Sequence, residues 1–214
     1  MRKEIFAPDE YYHIYSRGVD KRVVFLDDHD RFRFINTLYI LNNFLEIPHH
    51  FDIRTLTPRE LLEPRKPFVN IAAGCLMDTH YHLVMDPLAE NGISALMHKV
   101  GVSYSMYFNK RHERTGRLFE STFKAKHIDR PEYAEYITHY IHLNPAVLFN
   151  DGSPQSRLGG IEQYQWSSLP DYLGEKSGFS LLLSSSFRND VLGVTAGEYR
   201  KLLHDLYRDR DKFS

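Results

Sequence analysis

The chain has 214 residues, of which 42% are hydrophobic, and a formal net charge of −1 at pH 7. This length suits one domain, or one domain with an extension, and the apolar content is enough for a sizeable core. The near-neutral charge argues against a protein that coats nucleic acid regardless of sequence. The apolar runs are short and interrupted by polar residues, so no transmembrane helix is expected.

The cysteine content and the N-terminal sequence bear on the compartment. Cys75 is the one cysteine and lies within an apolar run, which excludes a disulfide within the chain and predicts a buried thiol. The first eight residues, MRKEIFAP, lack the apolar core of a signal peptide. We therefore expect a cytoplasmic protein without a membrane partner.

The predicted elements follow the order strand, helix, strand hairpin, helix, strand, helix. Aromatic and β-branched residues predict the first strand over residues 11–18, and an acidic cap at residues 27–30 precedes the first helix. The hairpin is predicted from two apolar runs at 69–76 and 80–87, and alternation predicts a fourth strand over 119–126. The last helix of this series begins near Pro131 and ends at Asn144, before Pro145.

This order predicts an α+β fold with a ferredoxin-like split βαβ antiparallel sheet and helices on one face. We expect residues 1–150 to form this domain, with an insertion at about 43–67. Residues 151–214 differ in composition, and we expect a mostly helical and loop extension packed on the domain. The capping pair Thr195 and Glu198 predicts a final helix in that extension.

Two histidines, His80 and His82, stand at the start of the second hairpin strand. Because side chains alternate along a strand, both imidazoles face the same way, about 7 Å apart along the backbone. That arrangement can hold one metal ion. The alternative is that both are polar residues on the solvated face of an amphipathic strand.

Tyr140 and Asn144 share one face of the predicted helix, because they are four residues apart at about 100° per residue. If that face lies beside the two histidines, a hydroxyl and an amide oxygen reach the same point. The alternative is that Tyr140 is a packing residue and Asn144 a helix terminator before Pro145.

The segment from residue 98 to residue 130 is basic, with eight Lys/Arg against three acids. Aromatic residues interleave with these cations, a composition that suits a strand of nucleic acid. The alternative is a solvated helix end beside core aromatics. The candidate DNA contacts are Lys99, Lys110, Arg111, Arg114, Arg117, Lys124 and Lys126.

Four stretches together resemble a known family: YHIYSRG at 12–18, MDTHYHL at 77–83, GRLFESTFK at 116–124 and YIHLNP at 140–145. They are similar to the single-tyrosine HUH transposases, and most similar to the branch called REP-associated tyrosine transposases. The resemblance spans roughly residues 10–175. It implies a ferredoxin-like domain that cuts and rejoins single-stranded DNA, often beside a hairpin.

The resemblance also implies site roles. Tyr140 matches the nucleophile that forms a 5′-phosphotyrosine, and His80, His82 and Asn144 match the ligands of a divalent metal, Mg²⁺ or Mn²⁺. His139 and His142 are candidate bases. His13 matches a family position for which no role is assigned. The expected partner is single-stranded DNA with hairpins, bound by a monomer or a homodimer.

Two other functions stay open from the sequence. A non-catalytic relative would bind a DNA sequence or hairpin without needing Tyr140 or a metal. A metalloenzyme acting on a small molecule would also use His80 and His82, but it would need a third histidine or a carboxylate.

Overall fold

The computed structural model describes residues 5–44, 66–184 and 187–211, and within them four strands form one antiparallel sheet. The spatial order of the strands is β2–β3–β1–β4. Their bounds are β1, Tyr11–Arg17; β2, Val69–Met77; β3, His80–Pro87; and β4, Lys124–Ile128. The predicted ferredoxin-like sheet is confirmed.

Six α-helices are found in the described residues. Their bounds are α1, Asp28–Leu41; α2, Gly92–Arg111; α3, Pro131–Leu143; α4, Pro154–Glu162; α5, Leu169–Tyr172; and α6, Ala196–Asp211. Asp27 caps α1 by accepting a hydrogen bond from the Asp30 amide at 3.0 Å. Thr195 and Glu198 form the capping box predicted for the final helix. A 3₁₀ turn, Asn144–Leu148, continues directly from α3.

Helices α1 and α2 cover one face of the sheet. Residues of alternate register, such as Tyr12, Ile14 and Leu83, point to this side and join a core with Phe34 of α1 and Tyr104 of α2. The period of two along each strand sends every second residue to this core. The prediction of helices packed on one face is therefore confirmed for α1 and α2.

Helix α3 covers the opposite face, and here the expectation of one helical face is wrong. Ile137 and Ile141 of α3 share a core with Ala73 and Cys75 of β2 and with Tyr199 of α6. All but one of the nine β2 residues are buried, so this strand needs cover on both sides. The helical periodicity gives the apolar stripe of α3 but not the side of the sheet on which it packs.

The fourth strand lies later in the chain than predicted. It begins at Lys124, whereas Phe119 makes an isolated bridge with Gly18. Phe119 and Phe123 are buried in the core on the side of α1 and α2. Their alternation with polar residues therefore reflects packing of an irregular segment and not a strand ladder.

A buried carboxylate ties α1 to α2. Asp30 has no exposed surface, and its carboxylate accepts hydrogen bonds from Arg111 at 2.6 Å, from Tyr107 and from the Leu26 amide. Arg111 also bonds Asp27 at 2.7 Å, which holds the pKa of the Asp27 carboxyl well below its usual range. The cluster fixes the position of α1 relative to α2.

The predicted insertion and the expected absence of a transmembrane helix are compared with the structure by residue range. The insertion expected at about 43–67 falls mostly on residues 45–65, which lie outside the described residues. In the part of the chain that the structure describes, no helix has the length and apolarity needed to cross a membrane.

Candidate active site

The hairpin between β2 and β3 places His80 at the first position of its strand. Met77 pairs with His80 across a two-residue turn, Asp78 and Thr79. The Thr79 carbonyl accepts the Gly18 amide at 2.8 Å, so the turn is fixed to the end of β1. A Cβ at Gly18 would lie 2.3 Å from the Arg22 carbonyl oxygen. Only glycine fits this close approach without a shift of the backbone.

The antiparallel register gathers polar side chains on the α3 side of the sheet. Arg17 lies opposite His80, Tyr15 opposite His82, and His13 opposite Val84. Paired residues point to the same face. The strands that supply apolar side chains to the core on one side therefore place His13, Tyr15, Arg17, His80 and His82 on the other.

Both ring nitrogens of His80 have neighbours. Its Nδ1 is 2.9 Å from Thr79 Oγ1, and its Nε2 is 3.3 Å from Asn144 Oδ1. The Asn144 amide nitrogen donates to the Tyr140 carbonyl at 3.0 Å, which fixes the amide so that its oxygen faces His80. With a proton on Nε2, His80 donates to Asn144 Oδ1, and its Nδ1 accepts from the Thr79 hydroxyl; a metal bound between His80 and Asn144 would take the place of that proton.

His82 is oriented by a third histidine. Its Nδ1 lies 2.8 Å from Nε2 of His13, and both rings are buried. Burial lowers the pKa of His13 to about 4 and that of His82 to about 2, helped by Lys126 for the former and by His13 for the latter. Both rings are neutral at pH 7. A proton on His82 Nδ1, donated to His13, leaves Nε2 with a lone pair for a ligand.

Tyr140 lies beside this pair and is open to solvent. Its ring meets the His82 ring edge-on at a centroid distance of 5.5 Å, and the residue is 44% exposed. The structure thus brings together all four residues assigned to the site from the sequence: His80, His82, Tyr140 and Asn144. Their chemical roles stay predictions.

The C-terminal segment holds α3 in place through a buried network. His142 contacts the Tyr199 hydroxyl of α6 and the Ser168 hydroxyl, each at 2.7 Å, and Ser168 Oγ accepts the Gly74 amide of β2. Burial lowers the pKa of His142. Because both of its nitrogens are engaged inside the core, His142 is unsuited to act as a base for Tyr140. His139 is also buried and stacks on the Tyr199 ring.

The donor set fits a hard divalent ion. In the residues that the structure describes, no group of three or more His, Cys, Asp or Glu side chains is placed to hold a metal. The candidate ligands are two imidazoles and the Asn144 amide oxygen. The 3.3 Å between His80 Nε2 and Asn144 Oδ1 is close to the ~3 Å between neighbouring ligands of an octahedral ion with bonds of about 2.1 Å. Within residues 5–44, 66–184 and 187–211, no carboxylate or third histidine joins His80 and His82 to make a zinc-type ligand group.

Sequence reasoning missed two functional candidates on β1, His13 and Arg17. Arg17 is exposed, and its guanidinium makes no hydrogen bond or ion pair with the described residues. Burial lowers the pKa of His80 and His82, and the nearby charge of Arg17 lowers both further. A signal was present. Positions 13, 15 and 17 share one face of a strand, and all three lie in a stretch that resembles the family.

The seven cations predicted to bind DNA divide between the two sides of the sheet. Five lie on α2 or just after it: Lys99, Lys110, Arg111, Arg114 and Arg117. Arg111 is engaged with Asp27 and Asp30, which makes it a structural residue in this fold. Lys124 and Lys126 lie on β4 opposite Tyr15 and His13, on the histidine side. Lys124 pairs with Glu120 at 2.6 Å.

Two comparisons with known proteins find a similarity. Residues 65–144 match the family model described as "Transposase IS200 like". This range includes His80, His82, Tyr140 and Asn144. No curated protein sequence matches the chain. A solved structure of a REP-associated tyrosine transposase bound to a REP hairpin matches with a TM-score of 0.54 at 10% identity, covering 81% of this chain and 85% of that one. The resemblance inferred from the sequence is confirmed, and the structural likeness shows a shared fold.

Proposed function

We propose that this chain, whose residues 65–144 match the IS200-like transposases, is a metal-dependent nuclease and strand transferase that acts on single-stranded DNA through Tyr140. The observation that carries the proposal is the convergence of Tyr140, Asn144 and the two histidines at one end of the sheet. The two histidines lie on the strand hairpin, and Tyr140 and Asn144 lie at the end of α3. His80 and Asn144 are 64 positions apart in the sequence.

His80, His82 and Asn144 would hold the metal ion, Mg²⁺ or Mn²⁺. When bound, such an ion withdraws charge from a phosphodiester and makes its phosphorus easier to attack. The protein's own contribution is to present neutral imidazoles, which are fixed by Thr79 and His13 before any ligand arrives.

Tyr140 would attack the phosphorus with its phenolic oxygen. The new bond joins that oxygen to phosphorus, the bond from phosphorus to the 3′-oxygen breaks, and the 3′-oxygen takes a proton as it leaves. The phenolic proton passes to solvent, which the exposure of Tyr140 permits. The product is a 5′-phosphotyrosine and a free 3′-hydroxyl.

The adduct keeps the energy of the broken bond, so a second 3′-hydroxyl can displace Tyr140 and reseal a strand without a nucleotide cofactor. Arg17 points from β1 to the side of His80 and would neutralise the phosphate oxygens during both steps. We assign Arg17 a catalytic role in this proposal, and His13 a positioning role for His82.

The proposed substrate is single-stranded DNA that carries a hairpin. The structural neighbour was solved with a hairpin bound, and Lys124 and Lys126 of this chain give the histidine side of the sheet a basic edge for phosphates. A cytoplasmic location, a catalytic domain over residues 1–150 with an extension over 151–214, and a monomer or homodimer complete the proposal.

Trapping the covalent adduct tests the proposal. The protein is incubated with labelled single-stranded fragments of its source genome and Mg²⁺ or Mn²⁺, and the mixture is run on a denaturing gel. We expect a shifted band that disappears with chelator and in Tyr140→Phe. Tyr136→Phe is the matched control, because this tyrosine lies on the same helix one turn earlier, and it should keep the band.

The outcomes separate the three candidate functions. An unchanged band in Tyr140→Phe would rule out this nucleophile. Specific DNA binding without an adduct, and without a need for metal, would favour a binding module that kept the fold. No interaction with DNA of any kind would return the small-molecule metalloenzyme to consideration.

A further inference from the structure

Helix α3 carries a row of three tyrosines on its outer surface: Tyr133, Tyr136 and Tyr140. The rings of Tyr133 and Tyr136 are 6.2 Å apart at an interplanar angle of 21°, and those of Tyr136 and Tyr140 are 6.4 Å apart at 20°. Among the Phe, Tyr and Trp side chains that the structure describes, Tyr136 is the most exposed at 62%. The row is therefore an ordered aromatic surface that leads directly to the proposed nucleophile.

The near-parallel rings of the row suit stacked bases. The interplanar angles of 21° and 20° give the three rings similar orientations along α3. Proteins that hold single strands stack bases on exposed aromatic rings of this kind. Tyr136 and Tyr140, at 62% and 44% exposed, leave ring surface open to a base, whereas Tyr133 packs half-buried against the core.

Charges of opposite sign lie on the two sides of the row. On the side of the sheet, Lys126 Nζ stands 4.3 Å from the centre of the Tyr133 ring. On the side of α6, Glu132 and Glu135 line a cavity of ≈ 580 Å³ together with Tyr136, Tyr140, His139, Leu143 and Leu206. A carboxylate repels phosphates and accepts hydrogen bonds from the amino groups of bases. The charges thus orient a strand, with its backbone toward Lys126 and its base edges toward the acids.

We propose that the tyrosine row binds the unpaired nucleotides that adjoin the phosphate attacked by Tyr140. A base stacks on the exposed ring of Tyr136, and its edge enters the cavity beside Glu132 and Glu135. This inference rests on the proposed function. DNA is favoured over a second copy of the chain because the row is continuous with Tyr140, the residue that the proposed function joins to a DNA strand.

The first measurement is binding in the Tyr140→Phe background, where no adduct can form. The probe is a single-stranded random-sequence oligonucleotide pool in which adenine is replaced by a fluorescent analogue that is quenched by stacking. We expect Tyr136→Ala to weaken binding by about 5- to 150-fold, the range for loss of one stacked base, and to reduce quenching. Tyr136→Phe keeps the ring and should restore both signals.

Met106→Ala is the matched control, because Met106 is 70% exposed but lies on α2, on the other side of the sheet. It should leave affinity and quenching unchanged. Thermal unfolding of each variant checks that the fold is intact, and the exposed position of Tyr136 predicts little change.

The second measurement separates this inference from the proposed function. Adduct formation is followed in chains that keep Tyr140. An adduct that forms in Tyr136→Ala with wild-type affinity and quenching would overturn the tyrosine row while leaving the nuclease in place. Absence of an adduct in the wild-type chain itself would remove the proposed function instead. A Tyr136→Ala variant that changes the sedimentation coefficient but not DNA binding would assign the row to contact between copies and overturn the proposal.

Discussion

The two faces of the sheet are built from the same strands and differ in how their polar groups are used. On the side of α1 and α2, the buried Asp30 carboxylate is paired with Arg111, whose side chain is partly exposed and also pairs with Asp27. On the side of α3, His80 and Arg17 lie at a solvent-accessible end of the sheet beside Tyr140. The charged groups of the first face are paired and stabilise the fold. On the second face, the histidines and Arg17 are free to contact a ligand.

The difference teaches where function can be changed without loss of the fold. Removal of a buried carboxylate leaves the donors around it without an acceptor, which is destabilising. An exposed charge without a partner contributes little to stability. We therefore expect substitutions on the α2 side to act mainly on folding and substitutions on the α3 side to act mainly on DNA chemistry.

The largest expected effect is on the stability of the α2 side. Asp30→Ala removes the buried acceptor of Arg111, Tyr107 and the Leu26 amide, and we expect a loss of about 3–5 kcal/mol in the free energy of unfolding, at about 1–3 kcal/mol for each unsatisfied donor. Urea denaturation measures it. Asp28→Ala, an exposed carboxylate on the same turn, is the control and should cost less than about 1 kcal/mol. Equal losses in both variants would show that the Asp30 cluster does not hold α1 against α2.

Next in size is the effect of Arg17 on the chemical step. Arg17→Gln should slow adduct formation by about 10²- to 10³-fold, because a charge that stabilises the phosphate oxygens is lost. The free energy of unfolding should change by less than about 0.5 kcal/mol. Single-turnover rates at saturating DNA measure the step. The exposed Arg22→Gln serves as control, and a loss confined to DNA affinity would argue for a binding role alone.

A smaller effect is expected from acid. The folded-state pKa of His13 is about 4 and that of His82 about 2, both below the ~6.5 of an unfolded histidine. The unfolded chain therefore binds more protons as the pH falls below 6.5, and stability decreases. Each histidine should cost about 2 kcal/mol between pH 7.5 and pH 5.

Urea unfolding in the presence of chelator across this pH range measures the effect. His13→Gln should reduce the pH dependence by about the 2 kcal/mol of one histidine, and the rest comes from His82 and the other histidines whose pKa values burial also lowers. The exposed His98→Gln is the control. A wild-type profile that is flat between pH 7.5 and pH 5 would contradict the neutral, buried pair of rings.

The smallest expected effect distinguishes the lysines of the two faces. Lys126→Gln should reduce the slope of log binding constant against log salt by about 0.7, the value for one phosphate contact with a single strand. Lys110→Gln, an exposed lysine on α2, should leave the slope unchanged. Titrations of single-stranded DNA at several salt concentrations measure both. A larger change for Lys110 would move the DNA path to the α2 side, where five of the predicted cations lie.

Local patterns in the sequence determined much of the site. Alternation put His80 and His82 on one face of a strand, and helical spacing put Tyr140 and Asn144 on one face of a helix. The structure brings these two faces together, with 3.3 Å between His80 Nε2 and Asn144 Oδ1. Such patterns are readable because backbone geometry fixes which neighbours share a face.

Only the tertiary structure decided what each face meets. It placed α3 across the sheet from α1 and α2, joined His13 to His82 over a separation of 69 residues, and engaged Arg111 with carboxylates of α1. The fourth strand is Lys124–Ile128 and not the predicted 119–126, because Phe119 and Phe123 are buried in the core and are not paired in a strand ladder. Periodicity records which side chains are apolar, whereas the partner that buries them is chosen by packing of the whole chain.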